Sequence, residues 1–114
     1  MRDDRLLIED IRDAIEVVLR YTPGQRSDFD SNPPVQSHII RHIQIIGEAA
    51  WRVSPAVKAA NPQVPWKAIA AMRHVLVHDY FRVDWNQVWN VATTHVPLLQ
   101  PQIAAILSTL PPSP

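Results

Sequence analysis

The chain contains no cysteine, which excludes disulfide bonds and thiolate metal sites. This composition fits a reducing compartment, so we expect a cytoplasmic protein. No apolar run approaches the roughly 18 residues that a membrane-spanning helix needs. The first residues, MRDDRLLIED, place acidic groups where a signal peptide would have a basic start and an apolar stretch, so we expect no secretion signal.

The chain also lacks net charge, since eleven basic residues balance eleven acidic ones. A neutral total argues against a nucleic-acid footprint over the whole surface. The charge is nevertheless uneven, because residues 1–35 carry five arginines against eight acids and residues 36–82 carry six basic residues against two acids. Residues 83–114 contribute only Asp84. Any anionic partner should therefore bind the middle of the chain.

Apolar and polar residues do not alternate with the period of two that indicates a strand, and the apolar residues instead recur at helical spacing. Residues 3–20 form the first predicted helix, which ends before Pro23 and Gly24. Residues 21–34 are predicted to be a polar loop, and a second helix is expected over 35–53. The fold predicted is all-α, an antiparallel bundle of four to five helices.

Proline and cap residues set the remaining boundaries. Ser54 is a cap candidate for one helical turn in the connector. The third helix is predicted to start near Pro65 and to cover WKAIAAMRHVLVHDY, and the fourth to start at Asp84 as N-cap. Pro97 and Pro101 should kink or split this last helix. We expect one domain over residues 1–110 and a frayed tail at 111–114.

Arg73 is an anomaly, because it falls among apolar residues on one face of the third predicted helix. A guanidinium in such a place needs a partner, since the burial of a lone charge is costly. Glu48 is the expected partner, being the only acidic residue between Asp30 and Asp79. The pair can be structural, tying two helices together, or it can belong to a site.

Histidines and tryptophans supply further candidates. His38 and His42, like His74 and His78, are four residues apart and would share a helix face, as metal ligands can. Neither pair has a Glu between its members or an evident third ligand, so we expect no metal and no other cofactor. Three tryptophans could stack on bases, but their helical positions favour core packing. They are Trp66, Trp85 and Trp89.

The geometry of an ideal helix separates the two most reactive candidates. His78 would lie about 140° around the helix from Arg73. The two side chains can cooperate only if the helix end distorts, or if a cleft between helices or subunits collects both.

The segment MRHVLVHDYFRVDWNQVW carries a family resemblance. Its Arg73, His78 and Tyr80 match the spacing R-x-x-x-x-H-x-Y, which resembles the signature of the HepT-like branch of the HEPN superfamily. The blocks RHIQIIGEAA and VPWKAIAAMRHVLVHDYFRVDWNQVW resemble the two best-marked blocks of that family. The similarity extends from about Leu6 to Leu107. His74 stands where asparagine is common in the family.

The resemblance implies an all-helical homodimer that acts as a metal-independent ribonuclease toxin, of the MntA–HepT type of toxin–antitoxin pair, with tRNA as a target. It implies a nucleotidyltransferase antitoxin that silences the toxin by transferring AMP to the motif tyrosine, here Tyr80. Arg73 and His78 would be the catalytic residues, with Glu48 and His74 in support.

The chemistry of these residue types agrees with that resemblance. RNA cleavage without metal can use the ribose 2′-hydroxyl as nucleophile, and it then needs a proton-moving group and a cation. An imidazole titrates near neutrality and suits the first task, for which we predict His78. A guanidinium can fork onto phosphate oxygens and suits the second, for which we predict Arg73.

One proton-moving histidine per chain is sparse, so we expect the active cleft at or near a dimer interface. A hypothesis of another class is a non-catalytic dimer that binds a nucleotidyltransferase or a nucleotide. An assay of RNA degradation separates the two hypotheses.

Overall fold

The structure is a computed structural model that describes the backbone of residues 3–75, 77–79 and 82–112 and the side chains of residues 3–74 and 83–112. Its helices are α1 (Asp4–Tyr21), α2 (Arg26–Asp30), α3 (Pro33–Arg52), α4 (Pro55–Ala60), α5 (Trp66–Val75), α6 (Trp85–Asn90) and α7 (Val96–Thr109). A short antiparallel hairpin joins α5 to α6, made of β1 (Val77–Asp79) and β2 (Arg82–Val83). The all-α fold is confirmed.

Side-chain caps begin the helices as the sequence predicts. The Asp84 carboxylate accepts a hydrogen bond from the Gln87 amide at 3.1 Å, and the Ser54 hydroxyl accepts one from the Val57 amide at 3.3 Å. Each bond satisfies an amide that the first turn of a helix leaves without an internal partner. Both predicted caps are therefore confirmed.

The core is built around α3, which packs against α1 on one side and α5 on another, while α1 also packs against α7. Full burial of each large aliphatic side chain contributes about 1.5–3 kcal/mol. Branched aliphatic side chains dominate the fully buried set, which includes Ile8, Ile11, Ile15, Ile39, Ile43, Ile46, Ile103 and Ile106. The apolar stripes of α1 and α3 thus form one contiguous core.

The predicted polar loop at 21–34 contains a short helix, α2, that the sequence did not reveal. Phe29 anchors it, fully buried, with its ring centroid 5.9 Å from that of Trp85 and 5.2 Å from that of Trp89. A single aromatic in a polar segment gives no periodicity, which is why the helix was missed. The same contacts confirm the packing role predicted for Trp85 and Trp89.

The last predicted helix is split ahead of Pro97, as the sequence predicts. Residues Val91–His95 form a π-helical segment, and the Val96 amide donates to the Val91 carbonyl five residues back. Pro97 has no amide hydrogen, and its ring would clash with the carbonyl four residues before it in a regular α-helix. The wider turn therefore absorbs the proline, and α7 continues through Pro101.

Helix α5 is shorter than predicted, and the prediction that it extends through Tyr80 was wrong. The helix ends at Val75, and the chain becomes extended at Val77–Asp79. The segment VLVHDYFRV is rich in β-branched and aromatic residues, which favour strands. Its apolar spacing also fits a helix, so periodicity alone could not identify the end of α5.

Across the described residues, none of the helices is both long and apolar enough to cross a lipid bilayer.

Candidate functional site

Helices α3 and α5 are in close backbone contact at Gly47. A Cβ atom added there would lie 2.7 Å from the Arg73 backbone nitrogen and 3.0 Å from the Ile69 carbonyl oxygen. Both neighbours are backbone atoms, which cannot move aside as the end of a side chain can. Only glycine permits this approach, and the contact fixes the part of α5 that carries Arg73.

The Arg73 guanidinium is held by two neighbours. It lies over the Trp51 ring, with its central carbon 4.1 Å from the ring centroid, and its Nε donates to His74 Nε2 at 2.9 Å. In this arrangement His74 Nε2 is an acceptor, so the proton of the neutral ring belongs on Nδ1. Among the described side chains, no further hydrogen bond reaches the guanidinium.

The expected pairing of Glu48 with Arg73 was wrong. The Glu48 carboxylate pairs with Arg52 one turn later on α3, at 3.1 Å to Nη2 and 3.2 Å to Nε. Adjacent helix positions differ by about 100°, so the residue after Gly47 points away from α5. Glu48 instead borders a second cleft with Leu7, on the α1 side of the helix.

An open cleft of about 520 Å³ lies beside Arg73. Cations and aromatic rings line it, and the described lining residues include no acidic group. Both lysines of the chain belong to this lining. The side chains that give the cleft its character are Trp51, Lys58, Trp66, Lys67, Arg73 and His74.

The backbone of His78 lies in β1, beyond the end of α5. Val77 pairs with Val83 and Asp79 pairs with Arg82, so His78 is the extra residue of an irregular ladder. Such bulges occur next to active sites, where they redirect a side chain. A distorted helix end between Arg73 and His78, one of the two arrangements that the sequence left open, is therefore present. The His78 side chain lies outside the described residues.

Tyr80 also lies outside the described residues, between the paired Asp79 and Arg82. Because α5 ends at Val75, the helical spacing of the sequence no longer predicts that Tyr80 lies beside Arg73. The same change removes the helical pairing of His74 with His78.

The other histidine pair is arranged for packing. His42 Nδ1 lies 2.8 Å from the His38 carbonyl oxygen, and the two ring centroids are 4.5 Å apart. Tyr21 packs edge-on against His38 at 4.9 Å. In the portion of the chain that the structure describes, no three potential ligands gather around a metal position.

Three contributors to the site were missed from the sequence: Gly47, Trp51 and the pair of lysines. Trp51 follows Gly47 by four residues and so lies on the face of α3 that meets α5. The close approach of two helices is the signal that would have found it. Lys58 and Lys67 lie on α4 and α5, and only the packing of these helices places both beside Arg73.

Comparison with known proteins gives a consistent assignment. The family model described as "Ribonuclease HepT-like" matches residues 11–106. A protein of Thermococcus cleftensis named "Probable ribonuclease HepT" is 34% identical over 100 residues, which cover 87% of this chain and 91% of the relative. A protein of Caldanaerobacter subterraneus named "Putative RNase" is 32% identical over 108 residues, which cover 94% and 96%.

A third relative is longer than this chain. The protein of Methanocaldococcus jannaschii named "Gamma-glutamylcyclotransferase and putative RNase" is 32% identical over 110 residues. The match covers 96% of this chain but spans only 50% of that relative. No solved structure matches the chain significantly. The extent of the family match, together with these relatives, shows that the chain belongs to the HepT-like ribonuclease family.

Proposed function

We propose that this protein is a metal-independent endoribonuclease toxin that cleaves RNA through the ribose 2′-hydroxyl. The observation that carries the proposal is the placement of Arg73. Its guanidinium is held by Trp51 and His74 beside a cation-lined cleft, and no other described side chain hydrogen-bonds its terminal N–H groups. Such a group is built to receive a phosphate.

The proposed cleavage requires one proton acceptor and one cation. The 2′-oxygen attacks the adjacent phosphorus while His78 removes its proton, and negative charge develops on the phosphoryl oxygens. Arg73 stabilises that charge with paired N–H donors. The bond to the 5′-oxygen then breaks, and this oxygen takes a proton. The products are a 2′,3′-cyclic phosphate and a 5′-hydroxyl.

Protonation of the leaving oxygen also requires a proton donor. A homodimer would supply one from the His78 of the second copy, which is why we place the active cleft at or near a subunit interface. His74 is less suited to this task, because its Nε2 already accepts from Arg73. We assign His74 to the positioning of Arg73. Glu48 forms an ion pair with Arg52 on the α1 side of α3, so we assign it no contact with the RNA.

Control of the toxin is proposed to act on Tyr80. Its hydroxyl oxygen would attack the α-phosphorus of ATP on a nucleotidyltransferase antitoxin, and pyrophosphate would leave. The attached AMP brings a negatively charged phosphodiester that Arg73 can attract in place of RNA. The R-x-x-x-x-H-x-Y spacing, which resembles the signature of the HepT-like branch, supports this part of the proposal. The same resemblance makes tRNA the expected target.

Incubation of purified, unmodified protein with total tRNA tests the enzymatic proposal. The parent should produce fragments with cyclic phosphate ends and should do so equally well in EDTA. Arg73→Ala and His78→Ala should each abolish cleavage while remaining folded by circular dichroism. Arg41→Ala and His95→Ala are matched controls, because both residues are exposed and lie outside the cleft lining. Both controls should cleave at the parent rate.

Two results would contradict the mechanism. Cleavage by His78→Ala at the parent rate would remove the proposed base. Loss of activity in EDTA that zinc or manganese restores would indicate a metal site. If the parent binds a nucleotidyltransferase yet cleaves no RNA, the protein is instead a non-catalytic dimer.

Tyr80→Phe separates regulation from catalysis, because it keeps the ring and removes the oxygen that would accept AMP. The variant should cleave RNA as the parent does but escape neutralisation by the nucleotidyltransferase. Intact-mass spectrometry after co-expression should show AMP-sized additions on the parent and none on the variant. Additions that persist on Tyr80→Phe would place the modification elsewhere.

A further inference from the structure

Trp51 is unusually exposed for so large an apolar side chain. It is 54% exposed at the end of α3, and with Tyr21 and Leu98 it is one of three large apolar side chains that are exposed among the described residues. A single exposed apolar residue requires no explanation by itself. Trp51, however, borders the cleft beside Arg73, and both lysines of the chain line the same cleft.

We propose that Trp51 forms a base-stacking subsite for one unpaired nucleotide of single-stranded RNA, next to the phosphate that Arg73 binds. The inference rests on the proposed function and extends it to the choice of substrate. Indole is a good stacking surface for any base, because every base has a π face. A cleft of about 520 Å³ falls within the range of small-molecule sites and can hold a nucleotide.

The arrangement of Arg73 on Trp51 links the two contacts. The guanidinium occupies a position over the ring at 4.1 Å from the centroid, and the indole remains 54% exposed. A base that stacks on the exposed part of the indole would bring its own phosphate toward the terminal N–H groups of Arg73. Stacking would thereby place a particular phosphate at the cation, which is what a cleavage site requires.

The lysines give the subsite its charge. Lys58 Nζ donates to the Trp51 carbonyl at 3.3 Å, which keeps the ammonium close to the end of α3. Lys67 is exposed on the first turn of α5. Together with Arg73 they give the described lining three positively charged side chains and no acidic group. An anionic backbone with an exposed base fits this combination better than an apolar protein surface does.

An uncleavable probe tests the subsite independently of catalysis. The probe is a 2′-fluoro oligoadenylate, which lacks the nucleophilic hydroxyl, and its control is an abasic 2′-fluoro backbone of equal length and charge. The parent should bind the base-bearing probe at least about fivefold more tightly than the abasic one. Trp51→Ala should lose that preference, and Trp51→Phe should keep most of it because phenylalanine still offers an aromatic face.

Salt dependence tests the lysines. Lys58→Gln and Lys67→Gln should each weaken binding of both probes, because each removes a cation that neutralises the backbone. The slope of log affinity against log salt is negative, and its magnitude should decrease by about 0.7 for each phosphate that the variant no longer neutralises. Arg41→Gln removes an exposed cation of α3 outside the cleft lining and should leave the slope unchanged.

Three outcomes would overturn the inference. One is a preference for the base-bearing probe over the abasic probe that is the same in the parent and in Trp51→Ala. Another is tighter binding of a base-paired probe than of the single strand. The third is a change in the sedimentation mass of Trp51→Ala, which would make Trp51 a contact between subunits. If the parent shows the preference but cleaves no RNA, the subsite stands and the proposed function fails.

Discussion

Among the described residues, Arg73 is oriented by a stack on Trp51 and by one hydrogen bond to an uncharged acceptor, and it forms no ion pair there. The acceptor in that bond is His74 Nε2, at 2.9 Å from Arg73 Nε. Among the described side chains no carboxylate pairs with this arginine, so none of them offsets the charge that it presents to a ligand. The orientation of the guanidinium therefore depends on Trp51 and His74, two side chains that hold it without a negative charge.

Substitution of His74 should reveal this positioning role. His74→Asn keeps an acceptor beside Arg73 and should retain most of the cleavage activity. His74→Ala removes the acceptor and should lower the rate more, yet less than Arg73→Ala does. Initial rates at saturating RNA measure the difference, and circular dichroism confirms folding. An alanine variant as inactive as His78→Ala would instead show that His74 moves protons in the reaction.

Gly47 should be intolerant of even a methyl group. Gly47→Ala places a Cβ against backbone atoms of α5 at 2.7 Å and 3.0 Å, so the helices must separate. We expect the free energy of unfolding to fall by about 1–3 kcal/mol, as for other overpacked sites. Urea denaturation measures the change.

Gly24 provides the matched control for this prediction. Nothing lies within 4 Å of an added Cβ there, and no described glycine has positive φ. Gly24→Ala should therefore leave stability unchanged or raise it by about 0.4–1 kcal/mol. Equal losses at both positions would mean that the close approach at Gly47 is not what makes it sensitive.

The sequence identified the chemical groups of the site better than their contacts. Arg73 stood out because a charge on an apolar face is costly. Its partners did not, because Glu48 and Trp51 differ by less than one helical turn and only the rotation of α3 decides which of them meets α5. The exposed stacking of Arg73 on Trp51 is a tertiary contact with no sequence period of its own.

Helix α4 carries one of the cleft lysines and depends on a single cap. Ser54 Oγ accepts from the Val57 amide at 3.3 Å and donates to Asp4 Oδ2 at 2.7 Å, which ties α4 to the start of α1. Ser54→Ala should lower the free energy of unfolding by about 0.5–2 kcal/mol, since it removes both hydrogen bonds.

Ser108→Ala serves as the comparison for this cap. The Ser108 hydroxyl is exposed and donates a hydrogen bond to the Ala105 carbonyl within α7, at 2.6 Å, with no other partner among the described residues. Thermal denaturation should show little change in this variant, within about 0.5 kcal/mol. A Ser54→Ala protein that melts with the parent would show that packing alone holds α4 in place.

Helical elements were predictable where a long apolar stripe met a cap. Helices α1 and α3 begin and end within two residues of their predicted bounds. The end of α5 was not predictable, because Val75 and its neighbours satisfy both the helical period and the preference of β-branched residues for strands. The hairpin places the backbone of His78 in a strand rather than in α5. The end of α5, the helix boundary that was hardest to predict, is therefore also the one close to the proposed catalytic histidine.

At the scale of the whole molecule, we expect a homodimer. Sedimentation at micromolar concentration should give twice the chain mass of 13.0 kDa. If each cleft combines Arg73 of one copy with His78 of the other, a mixture of Arg73→Ala and His78→Ala proteins should recover part of the activity that each lacks. A species of 13.0 kDa alone, with full activity, would contradict this arrangement.

The restriction of both lysines to one cleft has a practical consequence. Side-chain amines occur nowhere else in the sequence, so an amine-reactive dye would label the cleft and otherwise only the chain's terminal amine. Immobilisation on a sensor surface through amines would cover the proposed RNA site. Coupling through carboxylates would avoid the described lining of the cleft, which includes no acidic residue.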